Sequence, residues 1–467
     1  MKASKMSYKR AILIALPFFA ITIFWQAYDT LVPQMLAYHF GMNSTVRGLV
    51  MGIDNLVALI FLPLFGALSD KINSRLGRRT PLIIIGTIGG VLGFIGMTIA
   101  DNIQLAKLSA AGIPEAYNTA ADATAKAAVI NQAAEIMKGN IGTIALFLIM
   151  LLVAVFLMSI FRSPATALVA DLFVRPHRSK ANAVLNIMGG MAGIVFLVLN
   201  AKLASVYGGF FKLIFICTVF MVIGVIVYTL TIREPKLAKQ VQEDNIRLGY
   251  VENTKGEKIN EKLAPDVFKS LCFILAVVAF MYMGYNATTT HFSVYAINNL
   301  GMTSAEISKP LLVRVISVLI FCIPSAMLSS KIGRKKTTMI GLAIVAVTSI
   351  ALFFVTPETN GLLSPIFLVF GIGFAFASVN VGPMVIELCS DKDTGRYMGY
   401  YYLASTIAQI ITPSLGGFVM DNIAEAGLFI YTALFMVLGF ITCFFIKHGD
   451  CKPVNVNAVD VLGADEE

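Results

Sequence analysis

Twelve apolar stretches, each of roughly 20 residues or more, partition this chain, beginning near Ala11, Arg47, Pro81, Ile141, Ala181, Phe210, Phe268, Ile307, Thr337, Leu362, Arg396 and Leu428. A helix of that length matches the hydrocarbon core of a bilayer, where every backbone N–H and C=O must find its partner within the segment. The expected fold is an all-α polytopic membrane protein with twelve transmembrane helices. With 57% hydrophobic and 13% charged residues among 467, too little polar side chain remains to clothe a soluble core of this size.

The charges sit between the apolar runs, and unevenly. If the chain starts inside and the spans alternate, residues 1–10, 69–80, 171–181, 232–269, 330–337, 389–396 and 447–467 hold 27 of the 36 Lys and Arg. That asymmetry makes both termini cytoplasmic, and the plasma membrane is the expected location. It also accounts for the net charge of +9, so no nucleic-acid partner is expected. Lys2, Lys5, Lys9 and Arg10 precede a first run that is long, contains Pro17 and Trp25, and lacks a small-residue cleavage pattern, which marks a first span and not a removed signal. The six cysteines (217, 272, 322, 389, 443 and 451) show no CxxC spacing and the four histidines are dispersed, so neither a disulfide framework, a metal site nor a cofactor is expected. No P-loop, HExxH or GxSxG motif occurs, so the chain is not read as an enzyme, and any work it does draws on an ion or substrate gradient.

Four segments follow from this pattern: an N-terminal six-helix bundle (1–231), a cytoplasmic linker (232–267), a C-terminal six-helix bundle (268–447) and a polar, disordered tail (448–467). The first bundle carries an alanine-rich insert at 101–140, expected as short external helices broken at Gly112 and Pro114. The bundles repeat one another. Gly41-Met42 recurs as Gly301-Met302, and the same offset of 260 carries Asp70-Lys71 onto Ser330-Lys331. The basic turn SDKINSRLGRR then reappears as SKIGRKK, four residues shorter and with Ser330 in place of the acid. Asp70 among Lys71, Arg75, Arg78 and Arg79, with Gly66 one helical turn earlier, suggests a latch at the end of the second span.

These residues resemble the major facilitator superfamily, whose loop between the second and third helices reads G-x-x-x-D-[KR]-x-G-[RK]-[RK] and whose second half bears a degenerate copy. The extended form from Asp70 to Pro81 is similar to the loop of sucrose transporters and the related glycoside-pentoside-hexuronide symporters, as are the block from Pro164 to Asp171, Arg178 with Ala181-Asn182-Ala183, and Pro33 in the first span. The resemblance implies two pseudo-symmetric six-helix bundles around a central cavity. It also implies gating roles for Gly66, Asp70, Arg75, Gly77, Arg78, Arg79, Asp171, Arg178, Gly333 and Arg334. One departure stands out: Val155 lies where plant sucrose carriers have an acid, and Arg162 where they have Gln.

Ionisable groups inside a span are costly and so mark function. Asp29, Asp54, Arg162 and Arg314 are the candidates for ion coupling, with Asp54 and Arg314 at equivalent repeat positions; a structural ion pair, or charges snorkelling outward, is the alternative. Trp25, Tyr28, Asp29, Tyr285, Asn286, Asn380 and Gln409 are the substrate-binding candidates, because an indole stacks on the apolar face of a pyranose while carboxylate and amides take its hydroxyls. The seventh span, rich in Tyr, Asn and Thr, is expected to be irregular, and its Tyr285-Asn286 to repeat Tyr28-Asp29. The expectation is a monomeric secondary transporter moving a di- or oligosaccharide or glycoside by alternating access, with H+ or Na+ as coupling ion. The alternatives are a facilitator-type exporter of drugs or metabolites and, from another class, a membrane enzyme or sensor.

Overall fold

The computed structural model describes residues 6–120, 123–248, 264–389 and 394–450. Among them all regular structure is helical. In order the helices are α1 (Tyr8–Gln34), continued by a π-turn (Met35–His39), α2 (Ser44–Lys71), α3 (Thr80–Ala110), α4 (Ile113–Thr119), α5 (Ala123–Lys138), α6 (Ile141–Leu172), α7 (Arg178–Leu203), α8 (Phe211–Thr231), α9 (Glu234–Arg247), α10 (Pro265–Leu300), α11 (Ser308–Ile332), α12 (Arg334–Phe353), α13 (Leu363–Ile386), α14 (Thr394–Asn422) and α15 (Gly427–Phe444). All but α4, α5 and α9 are long and apolar enough to cross a bilayer, twelve in all, as the apolar runs require.

The chain divides into two compact units. The first comprises residues 1–251 with 296–308, the second 252–295 with 309–467. In the first, α3 lies along α6, and α1 along α7 and α8; in the second, α12 packs on α13 and α15. Small residues set these approaches, because lipid gives apolar side chains no reason to prefer protein and backbone contact must hold the helices together. A Cβ on Gly93 would stand 2.7 Å from the Ala154 backbone nitrogen, so α3 meets α6 backbone to backbone there. Gly341 lies equally close to the backbone of α13.

Backbone geometry repeats with the sequence. Gly41 and Gly301 both turn left-handed, at φ +60° and +64°, and the amides that follow close the same wide turn, Met42 N–H onto the Leu36 carbonyl (2.9 Å) and Met302 N–H onto that of Ala296 (3.2 Å). Gly77 and Gly333 likewise share positive φ, +114° and +95°, at an offset of 256, four less because the second basic turn is shorter.

Three local expectations, on the seventh span, the insert and the tail, are corrected. The seventh span is an uninterrupted helix, α10, and its Thr hydroxyls bond within the helix or to neighbours, Thr289 to the Tyr285 carbonyl and Thr288 to Thr432. The irregular backbone lies instead at the end of the first span, in the π-turn. There the buried His39 ring puts Nδ1 2.6 Å from Asp101 Oδ1 and Nε2 2.8 Å from the Val206 carbonyl, tying the end of α1 to α3 and to the turn before α8. In the insert, residues 101–110 simply prolong α3. Gly112 (φ +73°) breaks the helix, whereas Pro114 starts α4, where its missing N–H costs nothing. The linker opens as α9, which buries Leu237 and Val241. Residues 448–450 belong to the packed structure, with His448 against Ser270 at 3.0 Å, while residues 249–263 and 451–467 lie outside the described residues.

Replacing Gly93 with Val should drive α3 off α6 and lower stability by about 1–3 kcal/mol, seen as a lower melting temperature of the purified protein. Gly142→Ala, in open space at the start of α6, serves as the unaffected control.

Candidate functional site

In the first unit, α1, α2 and α6 bring five of the expected residues together. The Arg162 guanidinium covers the Trp25 indole at 5.9 Å, and the Tyr28 ring meets that indole edge-on at 5.4 Å. Asp54 is 9% exposed and accepts from the Asn55 amide at 2.8 Å, and its charge feels both Asp29 and Arg162. Asp29 and Asp54 also act together on the Tyr28 hydroxyl. Trp25 Nε1 and Tyr28 Oη are buried with no hydrogen-bond partner among the described residues. Two acids, one arginine and two aromatic donors thus meet inside membrane-spanning helices. Such a group can hold an ion, exchange a proton, or bind a polar solute whose hydroxyls take the vacant donors.

In the second unit Tyr285 stacks on Phe374, with centroids 3.8 Å apart, and Arg314 lies over Tyr285 at 5.4 Å and over Phe367 at 5.8 Å. Asn286 Oδ1 is buried without a partner among the described residues. Asn380 donates to Ser325 Oγ (3.1 Å) and to its own helix, so its amide ties α13 to α11, and Gln409 donates to the Ser405 carbonyl at 3.1 Å. The expected match of Tyr285-Asn286 with Tyr28-Asp29 is three residues out of register. At the offset of 260 fixed by Gly41 and Gly301, Tyr285 corresponds to Trp25 and Thr289 to Asp29. Each unit therefore sets an arginine over the aromatic ring at the same repeat position, but from a different helix.

The basic turn forms a second site at the end of the first unit. Arg79 bonds Asp70 (2.6 Å), Asp171 (Nε to Oδ2, 2.7 Å) and Ser69, and Arg78 reaches Asp171 at 3.3 Å. Burial alone would lower the Arg79 pKa, but hydrogen bonding and charge from Asp171, then Asp70, outweigh it and raise it. Glu234, 2% exposed, accepts from the backbone N–H of Arg78 (2.7 Å), Arg79 (2.9 Å) and Thr80 (2.8 Å), and from the Thr80 hydroxyl. It thereby takes the orphan donors that open α3 and places a negative charge at that helix's positive end. Gly77 is required beside it, because any Cβ there would strike the Glu234 carboxylate. Gly66 lets Ser163 approach α2, Arg178 holds the Ala170 and Phe173 carbonyls, and Arg75 is exposed in the turn.

The second unit carries a matching arrangement. Arg334 pairs with Glu387, and Asp450 accepts from the Lys335 backbone N–H at 2.9 Å. Asp171 to Glu387 and Glu234 to Asp450 are both offsets of 216, which is 256 less the 40 residues of the insert. Glu387, just past the end of α13, is the partner of a turn arginine. Glu234 escaped sequence reasoning because it was counted with the charged linker. Its signals were Pro235, which favours a helix start, and the match with Asp450.

At the opposite end of the first unit, residues 296–308 are held by Tyr38 Oη donating to Asn298 (2.7 Å) and by the Asn200 amide donating to the Ser304 carbonyl (2.9 Å) and the Ser308 hydroxyl (2.8 Å). Tyr38 and Asn298 are themselves 260 residues apart.

Glu234→Gln should cost about 1–3 kcal/mol, because the amide keeps one acceptor where two oxygens now serve four donors. Thermal scanning of the purified protein should show that loss, while Arg75→Ala leaves the transition unmoved.

Residues 14–381 and 277–458 match the Major Facilitator Superfamily. Proton-associated sugar transporter A of Mus musculus is 34% identical over 86 residues, and that of Homo sapiens 33% over 86 residues; the match spans 17% of this chain and only 12% of those relatives' length. Among solved structures, the xylose transporter XylE from E. coli in its inward-open conformation is similar at a TM-score of 0.65 with 13% identity, covering 98% of this chain and 99% of that one. The nucleoside transporter NupG is similar at 0.63 with 14% identity, covering 94% of this chain and 100% of that one. At those identities the structures speak to the fold alone. The sequence match runs across both halves of the twelve-helix fold, and the chain belongs to the Major Facilitator Superfamily.

Proposed function

We propose that this chain is a secondary active transporter that moves a sugar, either a di- or oligosaccharide or a glycoside, by alternating access with H+ or Na+ as the coupling ion. It works as a monomer in the plasma membrane with both termini cytoplasmic. The observation that carries this reading is the cluster of Asp29, Asp54 and Arg162 around Trp25 and Tyr28 within three spans. Two carboxylates and one guanidinium gathered inside membrane spans can hold a cation or exchange a proton, which is what an ion-coupled carrier needs. Trp25 and Tyr28 add aromatic surface and vacant donors suited to a sugar ring. The short match to proton-associated sugar transporters points the same way.

The cycle assigns work to both ends of the first unit. The knot of Arg79 with Asp70 and Asp171 holds the ends of α2 and α6 together, and the bonds of Tyr38 and Asn200 hold residues 296–308 at the other end. Alternating access opens one end while the other is shut, so each set of bonds breaks in turn.

Purified protein in liposomes, tested for counterflow of labelled disaccharides, decides the matter. Replacing the coupling acid, as Asp29→Asn or Asp54→Asn, should abolish accumulation while leaving exchange; accumulation by both single variants refutes coupling through these carboxylates. Asp70→Asn should slow transport several-fold with binding nearly intact, since its carboxylate touches the turn and not the cluster.

A further inference from the structure

Among the described residues, Arg314 is a buried cation without an ion-pair partner. It lies within α11, is 3% exposed, and among the described residues makes no ion pair and no hydrogen bond; Nε and Nη1 are buried and unbonded. Its contacts are aromatic, with Tyr285 and Phe367 against the guanidinium. The first unit is different, for there Arg162 shares its surroundings with two carboxylates. A guanidinium cannot shed its proton, so a site that buries one unpaired needs an anion from elsewhere.

The geometry points to Arg314 as the binding group for an anion carried by the transported molecule, a carboxylate attached to a ring with an apolar face. Tyr285 and Phe367 lie against the guanidinium, whose N–H groups lie in one plane along its edge. That edge fits the two oxygens of a carboxylate. Tyr285, stacked flat on Phe374 and lying under the guanidinium, is a rigid aromatic neighbour whose edge the ring of such a ligand can meet. A neutral sugar would leave the charge uncompensated. The proposal refines the carrier reading above and rests on it only in taking the bound molecule to be cargo.

Two isosteric pairs of probes test it on the purified full-length protein at neutral pH: D-glucuronate with D-glucuronamide, and 4-nitrobenzoate with 4-nitrobenzamide. Calorimetric titration should give the carboxylate of at least one pair an affinity about tenfold or more above its amide, the scale of a charge-assisted hydrogen bond. Arg314→Gln should erase that preference, and Arg314→Lys, which keeps the charge but not the fork, should reduce it. A preference confined to the nitrobenzoate pair upholds the anion site and removes the sugar reading. Equal binding of glucuronate and its amide, with no preference in the second pair, upholds a sugar site and overturns the anion site. So does a preference that survives in Arg314→Gln, or the absence of binding by all four probes. If Arg314→Gln does not purify as a folded protein, Arg314→Lys carries the test, and an unchanged preference there overturns the assignment. If Asp54→Asn restores folding to Arg314→Gln, the guanidinium belongs to an internal ion pair and the proposal fails.

Discussion

Charge in hydrocarbon must be answered locally, at a cost of several kcal/mol when it is not, and each feature of this molecule that is not simply apolar follows from how that demand is met. At the helix ends it is met by short ionic knots. Arg79 is answered by Asp70 and Asp171, and the opening amides of α3 by Glu234. Within the spans, two acids and one arginine gather in the first unit, and in the second the described surroundings of Arg314 are aromatic. The charges at the helix ends are answered by nearby protein groups, and the ones gathered inside the spans are where a solute or ion can be held.

The fold was legible in the sequence because membrane helices are specified by length and composition, which need no knowledge of tertiary contacts. The twelve runs and the matching turns at Gly41 and Gly301 needed nothing more. What the sequence hid were cases where one side chain satisfies backbone far away in the chain. Glu234 is 155 residues from Arg79, and a linker rich in charge gave no reason to single it out. The unbroken course of α10 was hidden for a related reason, since its Thr289 hydroxyl bonds back to its own helix and so leaves it intact.

Within the candidate site, residue types were easier to see than register. Trp25, Tyr28, Asp29, Asp54 and Arg162 could be named from polarity alone, and the first unit gathers them. A dipeptide likeness suggested pairing Tyr28 with Tyr285, but backbone turns fix register better than side-chain similarity, and they pair Trp25 with Tyr285 instead. Asn380 and Gln409 show the limit of polarity as a guide, for their amides are engaged with neighbouring protein atoms.

The alanine-rich insert, which offered no chemistry of its own, is seated on the first helix at its most constrained point. Gly41 turns left-handed just beyond the π-turn, and Ala134 of α5 sits so near that a Cβ on Gly41 would come within 2.6 Å of it. Tyr117 of α4 packs against Tyr38 with ring centroids 5.9 Å apart. The insert is therefore mechanically geared to the end of α1: a displacement of the first span must be passed on to α4 and α5, and a reporter group on α5 would follow the motion of a helix that is otherwise sheathed in protein.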